Sequence, residues 1–259
     1  MTPDLAPLLA AALDITETAS RIATGHFQRA LQVDLKADAS PVTIADRETE
    51  AAIRQALTAR FPEFGIYGEE YGAEGLERDK IWVVDPIDGT KSFIFGVPLF
   101  GMLLALAVQG QPVLGVIRMP QLDDVYAGAR GLGATRNGRA IRTSGVRHLS
   151  EAALFINEGD KIFAAEPAVF ARLVTAGRMR RLAYDCHPHA LLAEGRIDAV
   201  VDHDLKPYDY MALAGVIEAA GGVISDWEGR PVGFGSDGRV VSAATPELHA
   251  ELLALLAAG

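Results

Sequence analysis

In the stretch IWVVDPIDGTKSF, residues 81–93, four apolar residues run directly into Asp85, and Asp88, Gly89 and Thr90 follow within five positions. An uninterrupted apolar run of this length reads as a strand buried on both faces. Asp85 therefore falls where the chain leaves the core, at the strand end where open α/β sheets place their ligands. Pro86 fixes a turn in which Asp85 and Asp88 can converge. Gly89 lets the backbone approach a ligand closely, and Thr90 can open the next segment with free N–H groups facing an anion. Two close carboxylates repel unless a cation lies between them. Oxygen-only ligands favour magnesium or manganese over zinc. The same residues also read as a plain polar turn that caps a helix.

Three further acids stand at element boundaries. Glu69 lies in Gly68-Glu69-Glu70 after the strand-like FGIY, Asp46 closes PVTIAD just before a helix, and Asp209 opens a helix in KPYDY, with Pro207 fixing the entry. Taken singly, each is explained as a helix cap or a solvated surface acid. As a set around one strand end they describe side chains that reach a cleft rather than a core.

The elements that must position them follow from periodicity. Leu5, Leu8, Leu9, Ala12, Leu13, Ile15, Ala19, Ile22, Ala23 and Phe27 recur at helical steps and predict a helix over residues 4–31. LKADASPVTIAD is a break, and a second helix is predicted over 47–60, ended by Pro62. FGMLLALAVQG and PVLGVIRMP read as strands joined at Gly110-Gln111, and Asn137-Gly138 is a strong hairpin signal. Beyond residue 148 the texture changes: a strand at 153–157, a helix near 165–176, a strand around 180–184, a helix at 187–195, the strand IDAVVD, and the helix YDYMALAGVIEAAGG stopped by Gly221-Gly222. Alternating strands and helices imply an α/β protein of packed layers. We expect two subdomains around one cleft, residues 1–147 carrying most of the acids and residues 148–259 carrying Asp209, acting as one catalytic unit.

Composition excludes several classes. A net charge of −10 argues against a nucleic-acid partner, which requires a basic face. No apolar run approaches the ~20 residues that span a bilayer, and the N-terminus lacks the basic flank of a signal peptide, so a cytoplasmic protein that does not engage a membrane is expected. Cys186 is the only cysteine, which rules out an internal disulfide and a Cys-rich zinc site. No G-x-S-x-G elbow or usable Cys/His pair offers a covalent nucleophile. His187 and His189 flank Pro188 too closely in sequence to meet at one ion, and His187 is a candidate substrate contact instead. Arg178, Arg180 and Arg181 read as a solvated edge.

WVVDPIDGTKSF, with GEE before it and a helix-opening aspartate after it, closely resembles the inositol monophosphatase-like phosphatases, over almost the whole chain. That resemblance implies a layered αβαβα fold, a lithium-sensitive phosphomonoesterase acting on a small phosphate ester, and a homodimer. It also implies two or three magnesium ions, with manganese as a substitute. Carried over by position, Glu69, Asp85, Asp88 and Asp209 become metal ligands together with the Ile87 carbonyl. Thr90 and Asp46, beside Glu69, become the groups that activate the attacking water. The Gly89 and Thr90 N–H groups hold the phosphate, and Thr43 matches the family's threonine ahead of the aspartate.

Inositol-type members usually read D-G-T-x-N-F, whereas this chain has Lys91-Ser92-Phe93. DGTKSF with GVPLFG, LKPYDY and DWEG resembles the histidinol-phosphatase branch, although YDCHPH at 184–189 departs from that branch's G-x-D-C-Y, with Ala183 at the glycine position. The alternatives are an inositol-1-phosphatase, a nucleotide 3′-phosphatase, which also carries DGTK, or a catalytically silent metal-binding regulator. Histidinol phosphate brings a protonated amine and an imidazole, which carboxylates pair with better than they do with a neutral polyol. Asp185 and Asp202 are expected to face that cationic end.

Overall fold

A computed structural model describes residues 3–29, 33–36 and 41–258. Helix α1 (Leu5–His26) starts where the Asp4 side chain accepts the Ala6 N–H at 3.2 Å. It stops earlier than its periodicity predicts, because the backbone of Phe27 turns to an extended conformation and its ring packs against Phe93 and Phe100. Residues 30 and 31 of the expected helix lie outside the described residues. Strands β1 (Val33–Leu35) and β2 (Pro41–Thr43) form a small antiparallel pair ahead of α2 (Ile44–Arg60).

Strands β3 (Gly65–Gly68), β4 (Gly72–Glu74) and β5 (Lys80–Asp88) follow, then the short α3 (Thr90–Ile94). Strands β6 (Gly101–Val108), β7 (Gln111–Met119), β8 (Asp124–Ala129), β9 (Gly133–Arg136) and β10 (Arg139–Ile141) complete an eight-stranded sheet ordered β10-β9-β8-β7-β6-β5-β3-β4. Asn137 and Gly138, both at positive φ, make the predicted β9–β10 turn. The second half supplies β11 (Ala153–Asn157), α4 (Gly159–Ala165), α5 (Pro167–Leu173), β12 (Met179–Ala183), α6 (His187–Ala193), β13 (Ala199–Asp202), α7 (Pro207–Ala219), β14 (Val223–Asp226), β15 (Val240–Ala243) and α8 (Pro246–Ala257). Its sheet is five-stranded, ordered β12-β11-β13-β15-β14. The helix expected near 165–176 is α5; α4 is an additional helix ahead of it, separated where Pro167 lacks the N–H to continue α4 and takes the first turn of α5.

The cores define five layers, αβαβα. Trp82, Val84, Leu104 and Leu106 on one face of the large sheet pack against Ile15, Ile53 and Leu57 of α1 and α2. Ile81, Val83, Leu103 and Ile117 on the other face meet Leu213, Val216 and Ile217 of α7, which also touches Val200 and Val240 of the smaller sheet. The far face of that sheet, with Leu154, Ile156 and Val241, is covered by α4, α5 and α8. One core therefore draws on both halves of the chain. Among the described residues no helix is long and apolar enough to cross a membrane.

α7 is apolar all round because it is buried all round: residues 210–217 are buried without interruption. It lies close enough to the large sheet that a Cβ on Gly115 would come 2.1 Å from the Ala212 carbonyl oxygen. Backbone cannot yield as a side-chain tip can. We expect Gly115→Ala to cost about 1–3 kcal/mol, read as a lowered melting temperature, and to displace the N-terminus of α7 that carries Asp209.

Candidate active site

Two helix starts and one strand end meet at the site. Thr43 and Asp46 form a capping box at the head of α2. Asp46 thus belongs to the first turn of the helix, not to the segment before it. Its Oδ2 accepts the Thr43 N–H at 2.8 Å and the Thr43 hydroxyl at 2.6 Å, and its Oδ1 accepts from Thr90 Oγ1 at 3.3 Å. Both Thr43 and Asp46 are fully buried. Burial raises the Asp46 pKa, against the lowering effect of the Thr43 hydrogen bonds.

β5 does not end at Asp85 but runs on to Asp88 through an irregularity in its pairing with β6. Such a bulge re-aims side chains that would otherwise alternate between faces. Asp85 Oδ1 accepts the Ile87 N–H at 3.0 Å, and Thr90 Oγ1 donates to the Ile87 carbonyl at 3.3 Å. Asp88 Oδ2 accepts the Cys186 N–H at 2.6 Å. Asp209, at the third position of α7, accepts the Lys206 N–H at 2.6 Å. The structure brings carboxylate oxygens of Asp85, Asp88 and Asp209 within 4.8 Å of one another. Glu69 accepts from Lys36 Nζ at 2.7 Å, and the same ammonium lies 2.7 Å from Glu70.

Burial, reinforced by neighbouring like charges, dominates the electrostatics. Burial, then Glu69, Asp88 and Asp209, push the Asp85 pKa well above the carboxylate range, and burial with Asp185 and Asp209 does the same to Asp88. Burial raises Asp209 to about 7, helped by Glu69. Glu69 is also raised by burial, against the pull of Lys36. A hard divalent cation suits such a donor set, since it is all oxygen and its excess negative charge has few cations to balance it.

Glu69, Asp88 and Asp209 border a cleft of about 420 Å³, whereas Asp85 is buried. On its wall Gly89 and Asp185 meet, both at positive φ (84° and 61°). A Cβ on Gly89 would lie 2.6 Å from the Asp185 carboxyl carbon, so the glycine is required for that approach. Ser92 Oγ donates to Asp185 at 2.5 Å, and burial raises the Asp185 pKa to about 6. Asp202 also borders the cleft but is only 2% exposed. Its oxygens are held by Asn157 Nδ2 at 2.9 Å, His189 Nε2 at 3.0 Å and the His203 N–H at 2.8 Å. His189 is thereby a buried partner of Asp202 and Ser242. His187 borders a separate hollow of about 280 Å³, which Asp185 and Arg181 share. Arg180 is tied to the carbonyls of Ala176 and Gly177 at 2.7 and 2.8 Å. Cys186 is a buried free thiol.

Lys36, Glu158, Lys161, Asp204 and Lys206 complete the surroundings without having been singled out in the sequence. Glu158 follows the strand ALFIN directly, so the strand-end rule that picked out Asp85 applies equally to it. Lys161 lies 2.8 Å from Glu158 and 3.2 Å from Asp204. Lys36 carries no signal of its own, because only the fold brings β1 and the Glu69 turn together.

Five such layers with clustered acids at a strand end fit a metal-dependent phosphoric monoester hydrolase, the class to which comparison with known proteins assigns the chain. The model of the Inositol monophosphatase family matches residues 4–258. A histidinol-phosphatase from Chlorobaculum parvum is 39% identical over 233 residues, covering 89% of this chain and 88% of that protein. A histidinol-phosphatase from Mycobacterium tuberculosis is 34% identical over 268 residues, with both chains fully covered. Among solved structures, an inositol monophosphatase from Zymomonas mobilis superposes with a TM-score of 0.88 at 35% identity, covering 98% of this chain and 99% of the other. The chain belongs to the inositol monophosphatase family.

Proposed function

We propose that this phosphatase hydrolyses histidinol phosphate to histidinol and phosphate. The observation that carries the reading is the charge of the cleft, bordered by seven acids and three lysines. Glu69, Asp88 and Asp209, with Asp85 and the Ile87 carbonyl, would hold two or three magnesium ions, manganese serving as a substitute. That still leaves Glu158, Asp185, Asp202 and Asp204 along the rest of the wall, suited to a protonated amine and an imidazole rather than to a neutral polyol. The two histidinol-phosphatase relatives support the same choice.

Divalent ions held by these residues would lower the pKa of a water and offset charge on the attacking and leaving oxygens of an in-line displacement. The chain's own groups do the rest. Thr90 Oγ1, 3.3 Å from Asp46, orients the water and passes its proton to that carboxylate. The two Thr43 hydrogen bonds hold the Asp46 carboxylate in place to receive it. The N–H groups of Gly89, the N-cap of α3, and of Thr90, its first residue, receive the phosphate. Asp185 takes the cationic end of the substrate, and Asp202, oriented by Asn157 and His189, shapes the floor beneath it. We further propose that His187, in the adjoining hollow, contacts the substrate's outer end, and that the enzyme works as a cytoplasmic homodimer, its mass to be read by sedimentation.

The test is a panel of histidinol phosphate, inositol-1-phosphate, adenosine 3′,5′-bisphosphate and fructose-1,6-bisphosphate compared by kcat/KM with magnesium. Histidinol phosphate is expected to lead, and preference for another ester would overturn the assignment. Asp185→Asn should raise KM for histidinol phosphate about tenfold or more, the scale of one charge-assisted hydrogen bond, and leave p-nitrophenyl phosphate nearly unaffected. Equal losses on both would refute the role of Asp185.

A further inference from the structure

α2 contributes more to the site than Asp46. Glu50 follows Asp46 by about one helical turn on the same face, and it is fully buried. It borders no part of the cleft; its carboxylate is directed at the turn between β3 and β4. Oε2 accepts the Glu70 N–H at 2.7 Å, and Oε1 accepts the Tyr71 N–H at 3.2 Å and Arg54 Nε at 2.7 Å. Arg54, one turn further along α2, also donates to the Gly72 carbonyl, and the Tyr71 hydroxyl donates to the Arg47 carbonyl at 3.3 Å. On the other side, the N–H of Glu69 itself is bound to Val84 of β5 at 3.2 Å. The turn that presents Glu69 is thus fastened to the central strand at one end and to α2 at the other.

Gly68 fits the same arrangement. A Cβ there would lie 2.0 Å from Glu50 Oε1 and 2.6 Å from its carboxyl carbon. The glycine of Gly-Glu-Glu is therefore what admits Glu50 beneath the turn, a close approach that needs the missing side chain rather than an unusual φ. A buried carboxylate carries a large desolvation cost, met here by two backbone donors and a guanidinium.

We infer that Glu50 is a positioning residue for Glu69: it locks the Glu69 turn onto the helix that also carries Asp46, so that one rigid element sets the register between metal ligand and proton acceptor. This rests on the reading of Glu69 as a metal ligand. Groups that orient a ligand typically change metal affinity 10–100-fold when altered.

The test is calorimetric titration of Mn²⁺ into wild type, Glu50→Gln and Glu69→Gln, with circular dichroism and melting temperature on the same samples. Glutamine keeps the volume and one carbonyl acceptor but places an amide donor against an N–H or Arg54. For Glu50→Gln the Mn²⁺ dissociation constant is expected to rise by about 10–100-fold with the dichroism spectrum retained. The magnesium concentration for half-maximal turnover should rise alongside, with kcat largely recovered at saturation. Should the single variant fail to fold, Glu50→Gln/Arg54→Met removes the stranded guanidinium and is titrated in the same way. Unchanged affinity in the Glu50 variants beside a loss in Glu69→Gln assigns Glu50 to stability alone and overturns the positioning role. Wild-type affinity in Glu69→Gln overturns the ligand reading of Glu69, and this inference with it.

Discussion

Asp88→Asn and Glu69→Gln should each lower kcat by several orders of magnitude while the protein remains folded and, stripped of metal, melts no lower than wild type. Phosphate monoesters are among the slowest of uncatalysed hydrolyses, so the activity depends on charge placed at the cleft. Each substitution removes one unit of that charge. Neither leaves a large packing defect, because each new side chain is isosteric. In Asp88→Asn the new amide can keep its carbonyl oxygen against the Cys186 N–H, which the carboxylate now accepts at 2.6 Å. The burial, and after it the crowding, that raise the Asp85 and Asp88 pKa values are a folding cost in the metal-free protein, and removing a charge relieves it. Turnover at saturating magnesium and calorimetry in chelator check the two halves. A metal-free variant melting far below wild type would assign these acids to the fold rather than to the chemistry.

The second large effect is a pH dependence of stability that magnesium cancels. Asp209 is raised by burial to about 7 and Asp185 to about 6, with Asp85 and Asp88 well above the carboxylate range. Unfolded aspartates titrate near 3.9. The native metal-free protein therefore holds protons that the unfolded chain has released, and its stability falls as pH rises through this window. Each raised unit corresponds to about 1.4 kcal/mol between protonation states, and about 1 kcal/mol moves the melting temperature of a chain this size by about 2–4 °C. From about pH 5 to about pH 8, the metal-free melting temperature should drop by about 5 °C or more. With saturating magnesium the slope should flatten or reverse, because metal binds the deprotonated acids. Melting curves across pH, with chelator and with magnesium, read this directly. A flat metal-free profile would mean that the acids are not buried together in solution.

What the sequence disclosed, and what it concealed, follows from where each signal resides. β5 was legible because a strand buried on both faces is a continuous apolar run, and the acids at its end stand out against it. The bulge that carries the strand on to Asp88 left no mark beyond Pro86. Thr43 and Asp46 carried a readable capping-box spacing, yet an aspartate in place of the usual glutamate hid that Asp46 lies inside the helix. Pro167 opens α5, but α4 ahead of it carried no comparable signal. Glu50 was invisible for a physical reason: a polar residue on a helix face looks solvated until a distant turn covers it. The approach of Asp185 to Gly89 is of the same kind, since two left-handed residues far apart in the chain meet only once the second sheet is in place.

The most direct test of the central claim, that acids from separate elements gather to hold divalent ions at one cleft, is an anomalous difference map. Crystals would be soaked in Mn²⁺ with inorganic phosphate and measured near the manganese edge. Peaks are expected among the carboxylates of Glu69, Asp85, Asp88 and Asp209, with phosphate density beside Gly89 and Thr90. Manganese found only elsewhere, at concentrations that support turnover, would contradict the mechanism.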